Sequence, residues 1–279
     1  MNLTLMYITN DIRIAKIAQS SGVDRIWVDM EYIGKEERQY GMNTVKSHHT
    51  VEDVLRLRPV IDRSQLMVRV NPIHDATKDY CSTEEEVENV IEAGADVVML
   101  PMFRTVSDVE RFVSCVNRRA TVQLLVETAE AAENIDEICK VSGVDEIHIG
   151  LNDLHLAYKR KFMFELLADG TVDRLCRRIK DNGIKFGFGG IARIGYGMLP
   201  AEYVIAEHYR LGSEAAILSR GFCDANRVSD PSLIADAFRE GVKKIREREK
   251  EVSSFTAEQF EANRTTVIKI VNEIVSGNA

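Results

Sequence analysis

Short apolar runs alternate with amphipathic stretches along most of the chain. Eight runs read as strands: Leu3 to Ile8, Arg25 to Met30, Gln65 to Val70, Asp96 to Leu100, Thr121 to Val126, Glu146 to Ile149, Lys185 to Phe188 and Glu214 to Leu218. They are rich in Val, Ile and Leu and largely apolar on both faces, as strands covered on both sides should be. Between them, apolar residues recur at helical spacing over Ile12 to Ser20, Thr50 to Leu57, Thr83 to Ala93, Val106 to Asn117, Ala129 to Val141, Val172 to Asn182 and Ala201 to Leu211. Gly22, Gly94, Gly143, Gly183 and Gly212 follow helical stretches, where a left-handed residue is wanted. Eight strands, each followed by a helix, predict an α/β fold of the (β/α)8 TIM barrel type. An open doubly wound sheet is the rival, but no G-x-G-x-x-G follows the first strand.

The eighth helix falls at Pro231 to Lys250. A further one, Ala257 to Ser276, carries Phe260, Val267, Ile270, Val271 and Ile274 as an apolar stripe. The reading is a barrel over 1–250 and a C-terminal helical extension over 251–279. That last helix either covers its own barrel wall or reaches a neighbouring subunit, and a homo-oligomer is the expected assembly.

The chain has 279 residues, comfortable for one such barrel, and 45% apolar content to fill it. A net charge of −8 argues against a nucleic-acid partner. No run of 18 apolar residues offers a membrane span, and the N-terminus has no secretory pattern. The five cysteines are scattered, with no C-x-x-C pair. That usage suits reduced thiols, so a cytoplasmic location is expected.

In barrels of this kind the chemistry gathers beyond the C-terminal ends of the strands. Asp29-Met30-Glu31-Tyr32 lies at the end of the second run, and Arg69-Val70-Asn71-Pro72 at the third. Glu127-Thr128 follows the fifth, and Asn152-Asp153-Leu154-His155 the sixth. A β-α-β unit places both parallel strand ends on one edge of the sheet, so Glu127 and Asp153 should face one another. Two carboxylates so placed repel unless a cation lies between them, and a divalent metal is the simplest one.

The order of Asp29-x-Glu31, Arg69-x-Asn71, Gly94-Ala95-Asp96 running into Leu100-Pro101, Glu127-Thr128, and Gly143-Val144-Asp145 to Gly150-x-Asn152-Asp153-Leu154 resembles the HpcH/HpaI aldolase and citrate lyase beta-subunit family. The similarity covers roughly Leu3 to Phe222. It implies a metal-dependent carbon–carbon lyase of the aldolase type, acting on a 2-oxo acid such as a pyruvate or oxaloacetate unit through an enolate. Citrate-lyase-like or condensing chemistry on a thioester or citrate-like acid is the alternative, as is a ligand-binding barrel without turnover. By resemblance, Glu127 and Asp153 match the ligands of Mg²⁺ (or Mn²⁺), and Arg69 matches the arginine facing the oxo oxygen of a small carboxylate substrate. Gly150, Leu151 and Asn152 would lie along the substrate, and Asp29 and Glu31 would orient the inner groups. A fixed guanidinium beside a metal suits an enolate, whose charge both would stabilise as it forms.

The chain departs from the sugar-acid aldolases in two ways. Tyr32 stands where they carry a histidine that moves a proton, and tyrosine is a poorer base near neutral pH. The Pro/Gly/Arg-rich insertion before the fifth strand is missing, and Cys115 to Ala120 connects directly. Arg69-Val70-Asn71 and Asn152-Asp153-Leu154 look closer to the citrate lyase side. Candidates for the base are therefore Tyr32, His48 and His49, the two histidines lying in a long polar segment after the second strand. His155 and His74 are weaker candidates, and Glu92, which can partner the aldolase histidine, reads here as a surface residue. The glycine-rich run Gly187 to Gly197, with Arg193 and Arg220 near, reads first as tight turning at the rim and second as a phosphate loop.

Overall fold

In the computed structural model, described over residues 2–34, 49–219, 222–223 and 230–277, eight parallel strands close into a barrel in the order β1 to β8. They are β1 (Thr4–Ile8), β2 (Arg25–Asp29), β3 (Gln65–Arg69), β4 (Val97–Leu100), β5 (Thr121–Val126), β6 (Glu146–Ile149), β7 (Lys185–Ile191) and β8 (Ala215–Leu218). The described helices on the outside are α1 (Ile12–Ser20), α2 (Val51–Leu57), α3 (Thr83–Glu92), α4 (Val106–Val116), α5 (Ala129–Glu133), α6 (Ile135–Cys139), α7 (Leu151–Ala157), α8 (Glu165–Ala168), α9 (Thr171–Asp181), α10 (Ala201–Leu211), α11 (Pro231–Val252) and α12 (Ala257–Ser276). The (β/α)8 expectation holds. No described helix is long and apolar enough to cross a membrane.

Two apolar regions build the core. One fills the space between strands and helices, with Val28, Leu66, Val98, Leu124 and Ile147 facing Phe112, Leu175 and Ile205. The other fills the barrel itself with Met6, Trp27, Met67, Val97, Met99, Leu125 and Ala215. This alternation along each strand is why the runs read as apolar on both faces. At the N-terminal end, the floor, the filling turns polar around Arg25 and Glu146.

The structure differs from the sequence reading in three places. The stretch after β5 breaks at Asn134 into α5 and α6, which a continuous periodic pattern hid. Two short helices, α7 and α8, follow β6. Strand β7 runs three residues past Phe188, so Gly187, Gly189 and Gly190 lie inside it. A Cβ on Gly187 would stand 2.4 Å from the Ala215 carbonyl oxygen and 2.8 Å from His148 Nδ1. Gly189 takes φ +52°, and the pairing with β8 shifts register between Gly187 and Gly190. These glycines serve close packing and a bulge in the barrel wall.

The last helix, α12, packs on α10 and α8. Val267 and Val271 are buried there, and Asn263 Nδ2 donates to Glu207 Oε1 (2.8 Å) and to the Tyr203 carbonyl (3.2 Å). Of its two readings, the helix covers its own barrel wall.

Candidate active site

The C-terminal ends of β2 and β3 build the first half of the site. Asp29 and Arg69 are partners in the ladder, so both side chains leave the sheet at one level. Arg69 Nε and Nη2 donate to Asp29 Oδ1 and Oδ2, both at 2.8 Å, and Nη1 lies 3.2 Å from Glu31 Oε2. Trp27, two residues before Asp29 and on the same face, carries the guanidinium 5.1 Å above its ring. All three charged groups are buried. Burial works against the charge on Arg69, but Asp29 and Glu31 outweigh it and raise its pKa. The fork geometry and the aromatic floor fix the plane of this cation.

Glu127 directly follows β5 and is 3% exposed. Its Oε1 accepts the Met102 backbone N–H at 3.1 Å. Met102 holds a left-handed backbone, φ +53°, which is unfavourable for a residue with a side chain and aims that N–H at the carboxylate. Gly150, just past β6, backs the same side chain: a Cβ there would stand 2.9 Å from Glu127 Cβ and 3.0 Å from Oε2. Burial pushes the Glu127 carboxyl well above its ordinary range. Arg69 draws it back, while Glu31 and Asp153 push it further up. The two acids singled out from the sequence thus lie within electrostatic reach of each other at the mouth.

Asp153 sits half-buried in the first turn of α7, behind Gly150. Leu151 is buried and lies against Gly189, while Asn152 is exposed. His155 is buried on the same helix, with Nδ1 3.1 Å from the Leu151 carbonyl. Among the described residues the mouth therefore holds four acids, Asp29, Glu31, Glu127 and Asp153, and the guanidinium of Arg69.

The candidate bases divide. His48 lies outside the described residues. His49 does reach the site: its Nδ1 accepts the Asp29 backbone N–H at 3.0 Å. Tyr32 is 42% exposed at the rim, with its ring edge-on to Tyr80 at 5.3 Å. Burial and the nearby Glu86 raise its hydroxyl pKa above the ordinary value, which weighs against Tyr32 as a proton acceptor. His74 is engaged within its own loop, with its ring nitrogens 2.7 Å from the Pro72 and 3.0 Å from the Cys81 carbonyl oxygens. Glu92 is exposed at the end of α3, as read.

Sequence reasoning missed three participants. Met102 directs an amide at Glu127, and only its φ reveals this. Asn71 was quoted as a motif residue without a role, yet its Oδ1 accepts the N–H groups of both Tyr32 and Ile33, at 3.0 Å each. Glu86 on α3 is 2% exposed and holds Asn71 in turn. A buried acid in the first turn of a helix that otherwise reads as amphipathic was the available signal.

A cavity of about 1070 Å³ opens at the other end of the barrel, lined by Asp96, Arg118, Asp145, Glu146 and Lys185 among others. Its acids are already engaged: Asp96 with Arg58, Asp145 with the Val122 N–H, and Glu146 with Arg25. Size alone does not make it the reaction site, since barrels of this kind work at the opposite face.

A buried carboxylate among other carboxylates, faced by a fixed guanidinium at the C-terminal mouth of a (β/α)8 barrel, defines an acid-rich barrel of the enzyme type. The HpcH/HpaI aldolase/citrate lyase family model matches residues 4–165, and the chain belongs to that family. Its fold is similar to that of an HpcH/HpaI aldolase/citrate lyase family protein from Burkholderia cenocepacia J2315, at 16% identity over 88% of this chain and 95% of that one, with a TM-score of 0.62. It is similar to citrate synthase SbnG, at 16% identity over 86% and 95%, TM-score 0.60, and to macrophomate synthase, at 16% over 78% and 77%, TM-score 0.53. At such identities the likeness is one of fold. No curated protein matches the chain at a significant level.

Proposed function

We propose that this chain is a divalent-metal-dependent enzyme of the aldolase/citrate lyase type, breaking or making a carbon–carbon bond beside the oxo group of a small 2-oxo acid. The observation that carries this reading is Glu127, a buried carboxylate whose near neighbours include Glu31 and Asp153 and whose cationic neighbour is Arg69. Among the described residues these acids exceed the guanidinium of Arg69, and their excess helps to raise the Glu127 carboxyl. Such an excess is costly without a further cation. The donor set is all carboxylate oxygen, which suits Mg²⁺ or Mn²⁺. Among the described residues no three metal-binding side chains gather on one point. Glu127 and Asp153 would thus be the protein's share, and the other positions would fall to water and substrate.

When bound, the metal would act as a Lewis acid toward the oxo and carboxylate oxygens of the substrate. Arg69 faces the same oxygens. Its plane is fixed by Asp29, Glu31 and Trp27, so it stabilises negative charge on the oxo oxygen without having to reorganise. Gly150 lets the backbone pack directly against the Glu127 side chain, which holds that carboxylate in place.

The choice of reaction turns on the base. The Tyr32 hydroxyl is raised and partly exposed, and His49 spends Nδ1 on the Asp29 amide, so any proton transfer by His49 falls to Nε2. This favours reactions that form the enolate without abstracting a proton. In oxaloacetate, the bond from C3 to the C4 carboxylate breaks, CO2 leaves, and the electron pair passes through C3 to the oxo oxygen. The enolate then takes up a proton or attacks a second carbonyl, as a condensing enzyme requires. Lyase and condensing readings therefore share one intermediate, which accords with a fold found in citrate synthase SbnG and macrophomate synthase.

The test is direct. Purified protein is incubated with oxaloacetate, or with pyruvate and an aldehyde, in Mg²⁺, Mn²⁺ or EDTA. Pyruvate formation or condensation that needs metal and vanishes in Glu127→Gln is the expected result. Substrate binding with no turnover under any metal would replace the enzyme by a binding barrel.

A further inference from the structure

We propose that Glu86 is a positioning residue of this site: it holds Asn71, and Asn71 holds the turn that brings Glu31 to Arg69. The effect on turnover rests on the lyase reading, while the positioning itself does not.

The links are short and continuous. Both Glu86 oxygens accept the Asn71 backbone N–H, at 3.3 and 3.2 Å. Oε1 also accepts Asn71 Nδ2 at 2.8 Å and the Tyr80 hydroxyl at 2.8 Å. The Asn71 amide is fully buried, and with Nδ2 committed to a carboxylate, Oδ1 must face the other way. There it receives the N–H groups of Tyr32 and Ile33. The residue just before that pair is Glu31, whose N–H reaches Asp29 Oδ1 at 3.3 Å and whose carboxylate meets Arg69. Glu86 thus decides which way an amide points, and that amide decides where the Glu31 turn lies. Tyr80, edge-on to Tyr32, steadies the same turn from the side.

Stability does not account for Glu86. Its charge is buried, its hydrogen-bond donors are neutral, and the cationic influence on it is His74, which is outweighed by burial, so the carboxyl lies above its ordinary range. A buried carboxylate with no guanidinium or ammonium bonded to it is disfavoured, and an apolar side chain of similar volume would fill the space at less cost. A group kept at a cost to stability, one step removed from the buried charges of the mouth, is the pattern of a residue that orients a site.

The experiment compares wild type, Glu86→Gln, and the double exchange Asn71→Asp with Glu86→Gln. The exchange reverses donor and acceptor in the 71–86 link and leaves Oδ1 of residue 71 able to take the two amides. Hydrogen exchange of the peptide carrying Tyr32 and Ile33 is measured by mass spectrometry, together with thermal midpoint and steady-state kinetics on a 2-oxo acid. Glu86→Gln is expected to exchange at Tyr32 and Ile33 roughly tenfold faster, with no loss of midpoint. Its kcat should fall at least about tenfold at nearly constant KM, the scale for an orienting partner. The double exchange should restore both. Unchanged amide exchange in Glu86→Gln, or a double exchange that restores nothing, overturns the proposal. A wild-type protein inert toward every 2-oxo acid defeats the lyase reading alone, and the exchange measurement still decides the role of Glu86.

Discussion

The two ends of the barrel each hold an arginine on carboxylates, yet they are balanced differently. At the floor, Arg25 meets Glu146 in a bidentate pair, at 2.5 and 2.8 Å, and donates to Gln65 Oε1 at 2.9 Å. Gln123 Nε2 adds a bond to Glu146 at 3.0 Å. Arg25 answers Glu146 directly, Lys185 on the next strand adds a second cation, and neutral amides fill in around them. Burial works against the Glu146 charge, but the Arg25 bonds win and hold its carboxyl below the ordinary range. At the mouth, among the described residues, the guanidinium of Arg69 faces four acids, and buried Glu127 goes the other way. The same residue types, in the same interior, are thus pushed in opposite directions, down where cations answer the acid and up where acids exceed them.

Neutralising each end should pull the two apart most. Glu127→Gln is expected to lower kcat about 10³-fold or more, since it removes a group acting at the reacting oxygens. It also removes a disfavoured buried charge, so the thermal midpoint without metal should rise. Glu146→Gln should do the reverse: kcat within a few-fold of wild type, and a lower midpoint. Steady-state kinetics and calorimetry on the pair check this. Equal kinetic losses in both variants would erase the distinction between floor and mouth.

Removing the arginines comes next. Arg69→Ala takes the guanidinium from buried Asp29 and Glu31, and Arg25→Ala takes the bidentate partner from Glu146. Each should cost about 3–5 kcal/mol, the scale for breaking a buried pair from one side. The ends should then part again on adding Mg²⁺, which raises the midpoint of Arg25→Ala by as much as that of wild type, since its mouth is intact, and raises that of Arg69→Ala by more, since the acids released from the guanidinium strengthen the pull on the ion. Chemical denaturation with and without metal reads both effects.

Most of the fold was legible because hydrophobic burial writes its period into the chain. All eight strands and the long helices fall within a few residues of their expected bounds. The failures have local causes. Asn134 breaks a helix without disturbing the apolar spacing around it. The extra length of β7 is hidden because Gly189 and Gly190 carry no side chain to report a strand. At the site, Arg69, Asp29, Glu31, Glu127 and Asp153 were legible because strand ends of one barrel must converge. Glu86 and Met102 were not. One acts through hydrogen bonds across elements, the other through a backbone angle, and neither leaves a periodic trace.

The two ends should also answer pH with opposite sign. Glu146 is depressed in the folded state, so its contribution is present above the ordinary carboxylate pKa and is lost as pH falls. Glu127 is raised, so its contribution is full below that pKa and fades as pH rises through its folded value. His148, held neutral by burial between the two ends, is lowered from 6.5 to about 4. It should cost on the order of 3 kcal/mol as pH drops from about 6.5 toward 4. Stability of the metal-free protein should therefore fall on both sides of a maximum. Glu127→Gln should flatten the alkaline limb and leave the acid limb in place. A variant that flattens the acid limb instead would assign these groups wrongly.

The smallest effect concerns the backbone that serves Glu127. Met102 holds φ +53° and gives its N–H to Glu127 Oε1. That conformation costs a residue with a Cβ about 1 kcal/mol, and glycine adopts it freely. Met102→Gly removes the strain but frees the unfolded chain by a similar amount, so stability should change by less than about 1 kcal/mol. The amide itself is unaltered, and kcat should stay within about twofold of wild type. If the N–H is what the site uses, the methionine side chain is dispensable. A loss in Met102→Gly on the scale of Glu127→Gln, read in the same kinetic assay, would show instead that the side chain carries part of the chemistry at the mouth.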